Sequence, residues 1–332
     1  MILVQSNNFE LSTNDVLSWF ITRNIPFTRL NGEDTIELVS LSMDEGKIKI
    51  MIKVNDQVID FDDIIAYWHR RGKISLKIPE DIKDQLKQNF QRKHLGGLYS
   101  NVSSQYSSLE NYLNKRLAGL RSGLGDSAHS VINKLWALDT AISCGIDIPP
   151  GIITTKKQEL VAFREKYGNV ITKSILDSVF LWDDDDILVH YTEVITTESL
   201  DKLPDEFAPS LIQQAIPKLY ELRIFYLNGK VYPMAIFSQS DKQTAVDFRK
   251  YNDAKPNRTV RYQLPTEVER NLVELMTKLG LDSGSIDMIV SIEGKFVFLE
   301  VNPVGQFGMV SYPCNYYIER DIADYLSQFQ KN

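Results

Sequence analysis

The sequence predicts a mixed α/β protein of more than one domain, and three observations carry this prediction. The chain has 332 residues, which is about two domains' worth at ~150 residues per domain. Hydrophobic residues make up 43% of the chain and charged residues 24%, the composition of an ordinary globular protein. Segments with apolar residues at every second position alternate along the chain with segments of helical spacing, so strands and helices are both expected.

The chain opens with the pattern of a strand, a helix and a second strand. Residues 2–4 are apolar and β-prone, apolar residues recur at helical spacing over 16–21, and residues 27–30 are again strand-like. This order predicts a small βαβ-type start.

A hairpin and a helical stretch follow this start. Isoleucines alternate along 47–54 and predict a strand, and Asn55-Asp56 is a suitable turn into the next strand. The spacing is helical from 79 to about 117, and glycines mark the stretch 121–130 as a linker. We therefore expect a first domain over 1–130.

The rest of the chain predicts two further domains, 131–210 and 211–332. The expected helices cover 131–144, 157–167, 267–279 and 317–329. The expected strands cover 152–153, 169–175, 187–194 and 211–216, and two hairpins turn at Asn228-Gly229 and Glu293-Gly294.

Composition excludes several classes of function. The formal net charge of −7 argues against chain-wide attraction to nucleic acid or an anionic membrane. Apolar runs are far shorter than the ~20 residues that span a bilayer, and the start of the chain lacks a signal peptide, so we expect a cytoplasmic protein. Two cysteines and four scattered histidines give little support to a disulfide scaffold, a zinc site or a Ser/His/Asp triad.

The strongest candidate site lies on the two strands of the hairpin that turns at Glu293-Gly294. If Glu293-Gly294 is a two-residue loop, Asp287 lies directly across from Glu300, with Cβ atoms ~5 Å apart. Asn302 follows on the same face, because side chains alternate along a strand. None of the neighbouring hairpin residues is Lys or Arg, and opposed like charges destabilise a sheet unless a cation neutralises them. We interpret the three residues as ligands of Mg²⁺ or Mn²⁺.

A hairpin whose acidic residues simply face solvent is the alternative. The turn signal Asn302-Pro303 slightly favours this alternative. The apolar residues that lead into Glu300 on both faces of the strand disfavour it, because they indicate a buried strand.

Carboxylate-bound Mg²⁺ usually shares its ligands with nucleotide phosphates, so phosphate-binding cations are expected elsewhere. Walker A, GxGxxG and kinase motifs are absent from the sequence, which excludes P-loop enzymes and protein kinases. Lys173 interrupts a β-branched run and is either an anion ligand or a strand lysine that reaches to solvent. Lys134, taken alone, reads as a solvated helix residue.

The connection at Pro217 between two strand-like segments offers backbone groups to an adenine edge. Glu221 beyond it suits ribose hydroxyls, since acidic side chains commonly bind them. Arg223 and Arg249 are candidate clamps for a carboxylate or phosphoryl group, because guanidinium presents paired donors.

The order of these residues resembles the ATP-grasp ligases over about residues 131 to 310. The resemblance rests on Asn133-Lys134, Lys173, Gln213-Gln214-Ala215-Ile216, Glu221-Leu222-Arg223, and Asp287 followed by Glu300-Val301-Asn302-Pro303. It implies an ATP-grasp fold preceded by an N-terminal βαβ-type pre-ATP-grasp domain.

Within that superfamily the chain is similar to the peptide maturases that make graspetides, the microviridin-type ribosomal peptides. The supporting pieces are Trp68-His69-Arg70-Arg71, Ser238-Gln239, Asp247-Phe248-Arg249 and Gly305-Gln306. The tail over 311–316 is similar to the grasp-with-spasm subgroup.

The resemblance implies a nucleotide site residue by residue. Lys134 and Lys173 would hold the ATP phosphates, and Glu221 would bind the ribose. Gln214 and Ile216 would meet adenine through their backbone.

The resemblance also implies the metal and reaction sites. Asp287, Glu300 and Asn302 would bind two Mg²⁺ ions. Arg223 and Arg249 would lie near the transferred phosphoryl group and the substrate carboxylate. The chain departs from many relatives after Lys173, where it has Ser-Ile-Leu-Asp-Ser in place of a glycine-rich loop over the γ-phosphate.

The implied activity is ATP-dependent macrocyclisation of a precursor peptide that has a leader and an acidic, Thr-rich core. An Asp or Glu side chain would be phosphorylated, and a Thr or Ser hydroxyl would close an ω-ester; a Lys amine would give a lactam instead. The leader would dock on the strand over 187–194, and the resemblance makes a homodimer plausible. Two alternatives stay open: a ligase that forms ordinary amide bonds, and a nucleotide-binding regulator without turnover.

Overall fold

A computed structural model of the chain describes residues 1–79, 81–89, 92–120, 122–176, 180–183, 186–189, 192–239 and 256–331. The chain divides into two compact units. Unit 1 comprises residues 1–130 and the C-terminal segment that begins at Tyr317, and unit 2 comprises Val131–Tyr316. Among the helices of these described residues, none is both long enough and apolar enough to cross a lipid bilayer.

A parallel sheet forms the centre of unit 1. Its strands are β1 (Ile2–Ser6), β2 (Phe27–Asn31), β6 (Ala66–His69) and β7 (Gly123–Leu124). They are arranged in the order β2-β1-β6-β7. Helix α1 (Leu11–Thr22) connects β1 to β2 and buries Val16, Leu17 and Phe20. The strand–helix–strand opening that the sequence predicts is therefore confirmed.

The last helix of the chain, α9 (Ile318–Ser327), packs against α1. Its buried face consists of Ile318, Glu319, Ile322, Ala323 and Leu326. The sequence predicts this helix, but the predicted division assigns it to the domain over 211–332, whereas its contacts lie in unit 1. An amphipathic pattern shows that a helix has a buried face and does not show which element covers it.

A three-stranded antiparallel sheet completes unit 1 together with two helices and two short 3-10 helices. The strands are β3 (Ile36–Asp44), β4 (Lys47–Val54) and β5 (Gln57–Asp60), and the helices are α2 (Asp81–Asn89), α3 (Arg92–Ala118), Phe61–Asp63 and Gln328–Lys331. Val54 pairs with Gln57, so the predicted turn at Asn55-Asp56 is confirmed. The core of this part includes Leu113 and Leu117 of α3.

The first part of unit 2 is built on a four-stranded antiparallel sheet. Its elements are α4 (Lys134–Ser143), β8 (Gly151–Lys156), α5 (Lys157–Tyr167), β9 (Val170–Lys173), β12 (Glu193–Val194), α6 (Thr197–Lys202) and β13 (Glu206–Gln214). The strand order is β12-β9-β13-β8. Leu160, Val170 and Ile212 belong to its small core.

A separate hairpin precedes β12, and it changes one prediction. Its strands are β10 (Phe180–Asp183) and β11 (Asp186–Val189), which pair with each other. The single strand predicted over 187–194 is therefore wrong: β11 and β12 lie in different sheets, and residues 190–191 between them are outside the described residues. A continuous β-prone sequence does not reveal where a chain leaves one sheet for another.

The second part of unit 2 is a five-stranded antiparallel sheet. Its elements are β14 (Lys218–Leu227), β15 (Lys230–Phe237), β16 (Arg258–Arg261), α7 (Thr266–Lys278), β17 (Ser283–Ser291), β18 (Phe296–Asn302) and α8 (Gly308–Cys314). The strand order is β16-β15-β14-β17-β18. Helices α4 and α7 contribute Leu138, Leu272 and Leu275 to a core that covers one face of this sheet. The opposite face bears the charged residues described next.

Candidate nucleotide and metal site

Three charged residues form a row across neighbouring strands of the five-stranded sheet. Arg223 of β14 pairs in register with Asp287 of β17, and Asp287 pairs with Glu300 of β18. The next row pairs Ser285 with Asn302. The pairing of Asp287 with Glu300 that the sequence predicts is therefore confirmed.

The two-residue loop that was the basis of this prediction is nevertheless wrong. The Ser291 N–H donates to the Lys295 carbonyl at 2.9 Å, so the loop has three residues, and Gly294 has a φ of 81°. A bulge at Leu299 then shifts the register between Asp287 and Met288. The longer loop and the bulge cancel, because each changes the register by one residue in opposite directions.

Both carboxylates of the row are paired with cations. Arg223 Nη1 donates to Asp287 Oδ1 at 2.7 Å and to Oδ2 at 2.5 Å. Glu300 Oε2 lies 2.9 Å from Lys173 Nζ and 3.5 Å from Lys134 Nζ. The side chains of all five residues are 10–16% exposed.

This pairing corrects one step of the sequence argument. The sequence predicts a divalent cation because the hairpin residues next to Asp287 and Glu300 include no Lys or Arg, but the neutralising cations come from β14, β9 and helix α4. Charge repulsion therefore does not by itself require a metal ion. The case for a metal rests instead on the oxygen donors that converge here, which are the ligand type Mg²⁺ prefers.

Local structure explains how Lys134 reaches this position. The Asn133 side chain caps α4 by accepting from the Leu135 N–H at 2.9 Å, which fixes Lys134 in the first turn. Helix α4 packs against β18, the strand of Glu300. Lys134 is therefore held beside Glu300 and is not the solvated residue that its helix position alone suggests.

A cavity of about 400 Å³ opens on this row. Lys173, Asp287 and Glu300 line its charged part. The strand-to-strand connection lines the opposite part with Gln213, Gln214, Ala215, Ile216 and Pro217. Apolar side chains complete the wall, namely Ile171, Val194, Leu222, Met288, Ile289 and Leu299. A flat apolar group with polar edges and an anionic tail fits such a cavity.

The connection offers fewer backbone groups than the sequence suggests. The Gln214 N–H already donates to the Pro150 carbonyl at 2.9 Å, and the Ala215 N–H donates to the Asn169 carbonyl at 2.8 Å. Gln214 can therefore meet a ligand through its carbonyl and not through its N–H. Ile216 lines the cavity beside it.

Glu221 lies in the same cavity and belongs to a hydrogen-bonded group that the sequence analysis missed. The Glu221 side chain is 7% exposed, and its Oε1 accepts from Lys218 Nζ and Ser238 Oγ, both at 2.7 Å. Gln239 continues the group by donating to Ser238 Oγ at 3.1 Å.

A backbone irregularity hides Lys218 from pattern analysis. Residues three apart in a regular strand face opposite sides, which would separate Lys218 from Glu221. The pairing of β14 with β17 shifts between Lys218 and Tyr220, so Leu219 is an extra residue that turns Lys218 to the side of Glu221. The neighbouring Pro217 is the one sequence signal of such an irregularity.

Four of the predicted site residues are not part of the described cavity wall. Lys134 and Arg223 are next to it, because they contact the lining residues Glu300 and Asp287. Asn302 is exposed, is absent from the cavity wall, and accepts from the Val304 N–H at 3.0 Å through Oδ1. Arg249 lies outside the described residues, as does part of the predicted loop after Lys173.

Two antiparallel sheets with a ligand-sized cavity between them, lined by lysine, carboxylates and the connection between two strands, are the architecture of the ATP-grasp fold. The chain has this fold, as its resemblance implies. It is similar to a RiPP-associated ATP-grasp ligase of Chryseobacterium gregarium, solved in complex with ADP and a leader and core peptide. The two are 24% identical over 98% of this chain and 96% of that one, with a TM-score of 0.80.

A second similar structure is the macrocyclase MdnC of Microcystis aeruginosa, solved with the precursor peptide MdnA. It is 25% identical, covers 99% of each chain and has a TM-score of 0.77. A third is the ATP-grasp ligase PsnB, complexed with a minimal precursor, Mg and ADP, at 18% identity over 99% of this chain and 97% of that one and a TM-score of 0.70. No protein-family model and no curated protein matches the chain.

Proposed function

We propose that the protein is an ADP-forming ATP-grasp ligase that closes rings in a ribosomal precursor peptide. The observation that carries the proposal is a cavity lined by a strand connection, Lys173, Asp287 and Glu300, with Lys134 next to Glu300. The similar structures support it, because they are ligases and a macrocyclase solved with precursor peptides.

In this proposal ATP lies along the cavity. Its adenine meets the Gln214 carbonyl and Ile216, its ribose binds Glu221, and its phosphates replace Glu300 as the partner of Lys134 and Lys173. The two lysines are suited to this exchange, because lysine is a mobile point charge on a flexible stem.

The residues present fit Mg²⁺. Asp287 and Glu300 would hold it through carboxylate oxygens, and Asn302 would contribute an amide oxygen after releasing the Val304 N–H; we propose two ions. Bound there, Mg²⁺ would neutralise charge on the phosphates.

The reaction follows from the poor reactivity of a carboxylate. The γ-phosphoryl group of ATP passes to an Asp or Glu side chain of the peptide, which gives an acyl phosphate and ADP. A Thr or Ser hydroxyl of the same peptide then attacks the acyl carbon, and an ω-ester forms as phosphate leaves. Arg223 and Arg249 would stabilise the developing charge, which is a mainly electrostatic contribution.

The remaining expectations belong to the same proposal. The peptide partner carries a leader, for which the strands on either side of residues 190–191 are the candidate docking edge. The protein works in the cytoplasm, and a homodimer is its proposed assembly.

Mass spectrometry of a candidate precursor incubated with the protein and Mg-ATP tests the proposal. We expect loss of one water per ring, accompanied by ADP, and no loss with Asp287→Ala. Asp139→Ala, an exposed acidic residue of α4, is the matched control and should be fully active. ADP formed from free glutamate and amines without a precursor would indicate an ordinary amide ligase, and ATP binding without ADP release would indicate a regulator.

A further inference from the structure

Lys218 is a charged residue held inside the cavity, with a side chain 11% exposed. Its Nζ lies 2.7 Å from Glu221 Oε1. A lysine is rarely buried unless it is paired, and the bulge at Leu219 is what brings it to this partner. Neither the resemblance nor the reaction proposed above uses Lys218.

The partner of Lys218, Glu221, is more deeply buried, and its described contacts converge on one oxygen. Lys218 and Ser238 both contact Glu221 Oε1, and within the described part of the chain no donor contacts Oε2. Burial is the largest influence on Glu221 and raises its pKa above the usual 4.5, and the charge of Asp287 on the neighbouring strand adds to this rise. Lys218 and Ser238 lower the pKa without offsetting the burial. Lys218 is therefore the principal group that favours an ionised Glu221.

An ionised carboxylate that is fixed at Oε1 presents acceptor sites at Oε2 and no donor. Two adjacent hydroxyl groups, such as those of a ribose, can both donate to it. A nucleotide that lacks these hydroxyls donates no hydrogen bond to the buried Glu221 carboxylate. A site built to bind a hydroxyl therefore discriminates strongly against such a nucleotide.

We propose that Lys218 is a positioning residue that makes the cavity selective for a nucleotide carrying ribose hydroxyls, by binding Glu221 Oε1 and holding the carboxylate in place. The inference rests on the proposed nucleotide site and adds the residue that sets its sugar specificity. A pair that served only to stabilise the fold would affect the binding of every nucleotide equally.

Calorimetric titration of the full chain with Mg-ATP and with Mg-2′,3′-dideoxyATP separates these two roles. The wild type should bind ATP about tenfold more tightly or better, as expected for hydrogen bonds to a charged group. Lys218→Met should weaken ATP binding by a similar factor and leave dideoxyATP binding unchanged, so that the preference disappears. Binding of dideoxyATP also shows that the variant is folded.

Two further variants complete the experiment. Lys218→Arg should retain most of the preference, because it keeps the charge, and Lys202→Met, an exposed lysine of α6, should match the wild type. An equal loss of affinity for both nucleotides in Lys218→Met, or a wild type that binds both equally, would overturn the inference while leaving the nucleotide site intact. A wild type that binds neither nucleotide would instead refute the proposed function.

Discussion

Arg223 Nη1 donates to both carboxylate oxygens of Asp287, at 2.7 and 2.5 Å, across the pairing of β14 with β17. The Arg223 Nε is buried and has no hydrogen-bond partner among the described residues. The guanidinium is thus fixed by Asp287 and keeps a donor that no described residue satisfies. This geometry suits a residue that orients the acidic group and also contacts a ligand.

The first prediction concerns this ion pair. Arg223→Met should lower the free energy of unfolding by about 2 kcal/mol, because it leaves Asp287 partly buried without its cation. Adding Asp287→Asn should recover part of the loss, since the uncompensated charge is removed. Urea denaturation of both variants measures this, and equal stability of Arg223→Met and the wild type would show that the pair contributes nothing.

The second prediction concerns the order in which metal and nucleotide bind. Among the described residues, Arg223, Lys134 and Lys173 contact the carboxylates Asp287 and Glu300, and these five residues carry one net positive charge, from 3 − 2. The pair of Lys218 and Glu221 in the same cavity adds no net charge. Such a site repels a free divalent cation and attracts a polyanion. Electron paramagnetic resonance should detect Mn²⁺ bound only when ADP or ATP is present. Tight Mn²⁺ binding without nucleotide would contradict this order.

The third prediction concerns Lys173, the cation nearer to Glu300. Lys173→Met should weaken ATP binding by about tenfold or more, because a charge-assisted hydrogen bond to phosphate is lost. Adenosine binding, measured in the same way, should not change, since adenosine has no phosphates. The exposed control Lys202→Met should alter neither affinity, and an equal effect of Lys173→Met on adenosine would indicate a disturbed fold.

The fourth prediction concerns a buried ion pair of unit 1. Glu10 accepts from the Thr13 N–H at 2.6 Å, which caps α1, and its Oε1 lies 3.2 Å from Arg70 Nη2. Burial acts to raise the pKa of Glu10, but the Arg70 charge and the Thr13 hydrogen bonds outweigh it and hold the pKa below its usual 4.5. Folding therefore favours the ionised form, and this stabilisation is lost as the pH falls below about 4.5 and through the lower folded-state pKa.

Glu10→Gln tests that pair. At pH 7 it should lower the free energy of unfolding by about 3 kcal/mol, because Arg70 stays buried without its partner. Between pH 5 and pH 3 the variant should lose less stability than the wild type. Urea denaturation across this range measures both effects, and Glu37→Gln, at an exposed position, should behave like the wild type.

The fifth prediction concerns the turn that follows β18. A Cβ atom on Gly305 would overlap Oγ and Cβ of Ser285, the residue paired with Asn302. Gly305→Ala should therefore lower the free energy of unfolding by about 1–3 kcal/mol, the usual cost of overpacking. Ser285→Gly in the same chain should relieve most of the overlap. Gly96→Ala in α3, where a Cβ meets open space, should be neutral or stabilising.

Local patterns alone predicted much of the secondary structure and one essential contact. Alternation and turn residues predicted the opening βαβ unit, the hairpins at Asn55-Asp56 and Asn228-Gly229, and helix α7. They also predicted that Asp287 pairs with Glu300, although this prediction is correct only because the longer loop and the bulge at Leu299 shift the register in opposite directions. These features depend on residues close in sequence, whose geometry the backbone periods fix.

The tertiary structure decided which distant groups meet these residues. The partners of Glu300 come from α4 and β9, and the partner of Asp287 comes from β14, so the sequence around the hairpin could not reveal that its charges are compensated. Bulges at Leu219 and Leu299 change which face a side chain occupies, and no regular period predicts them. Helix α9 likewise joins unit 1 through contacts separated by about 300 residues. The sequence determined the elements and their chemistry, whereas folding determined the pairings, because electrostatic and packing partners are selected by proximity in space.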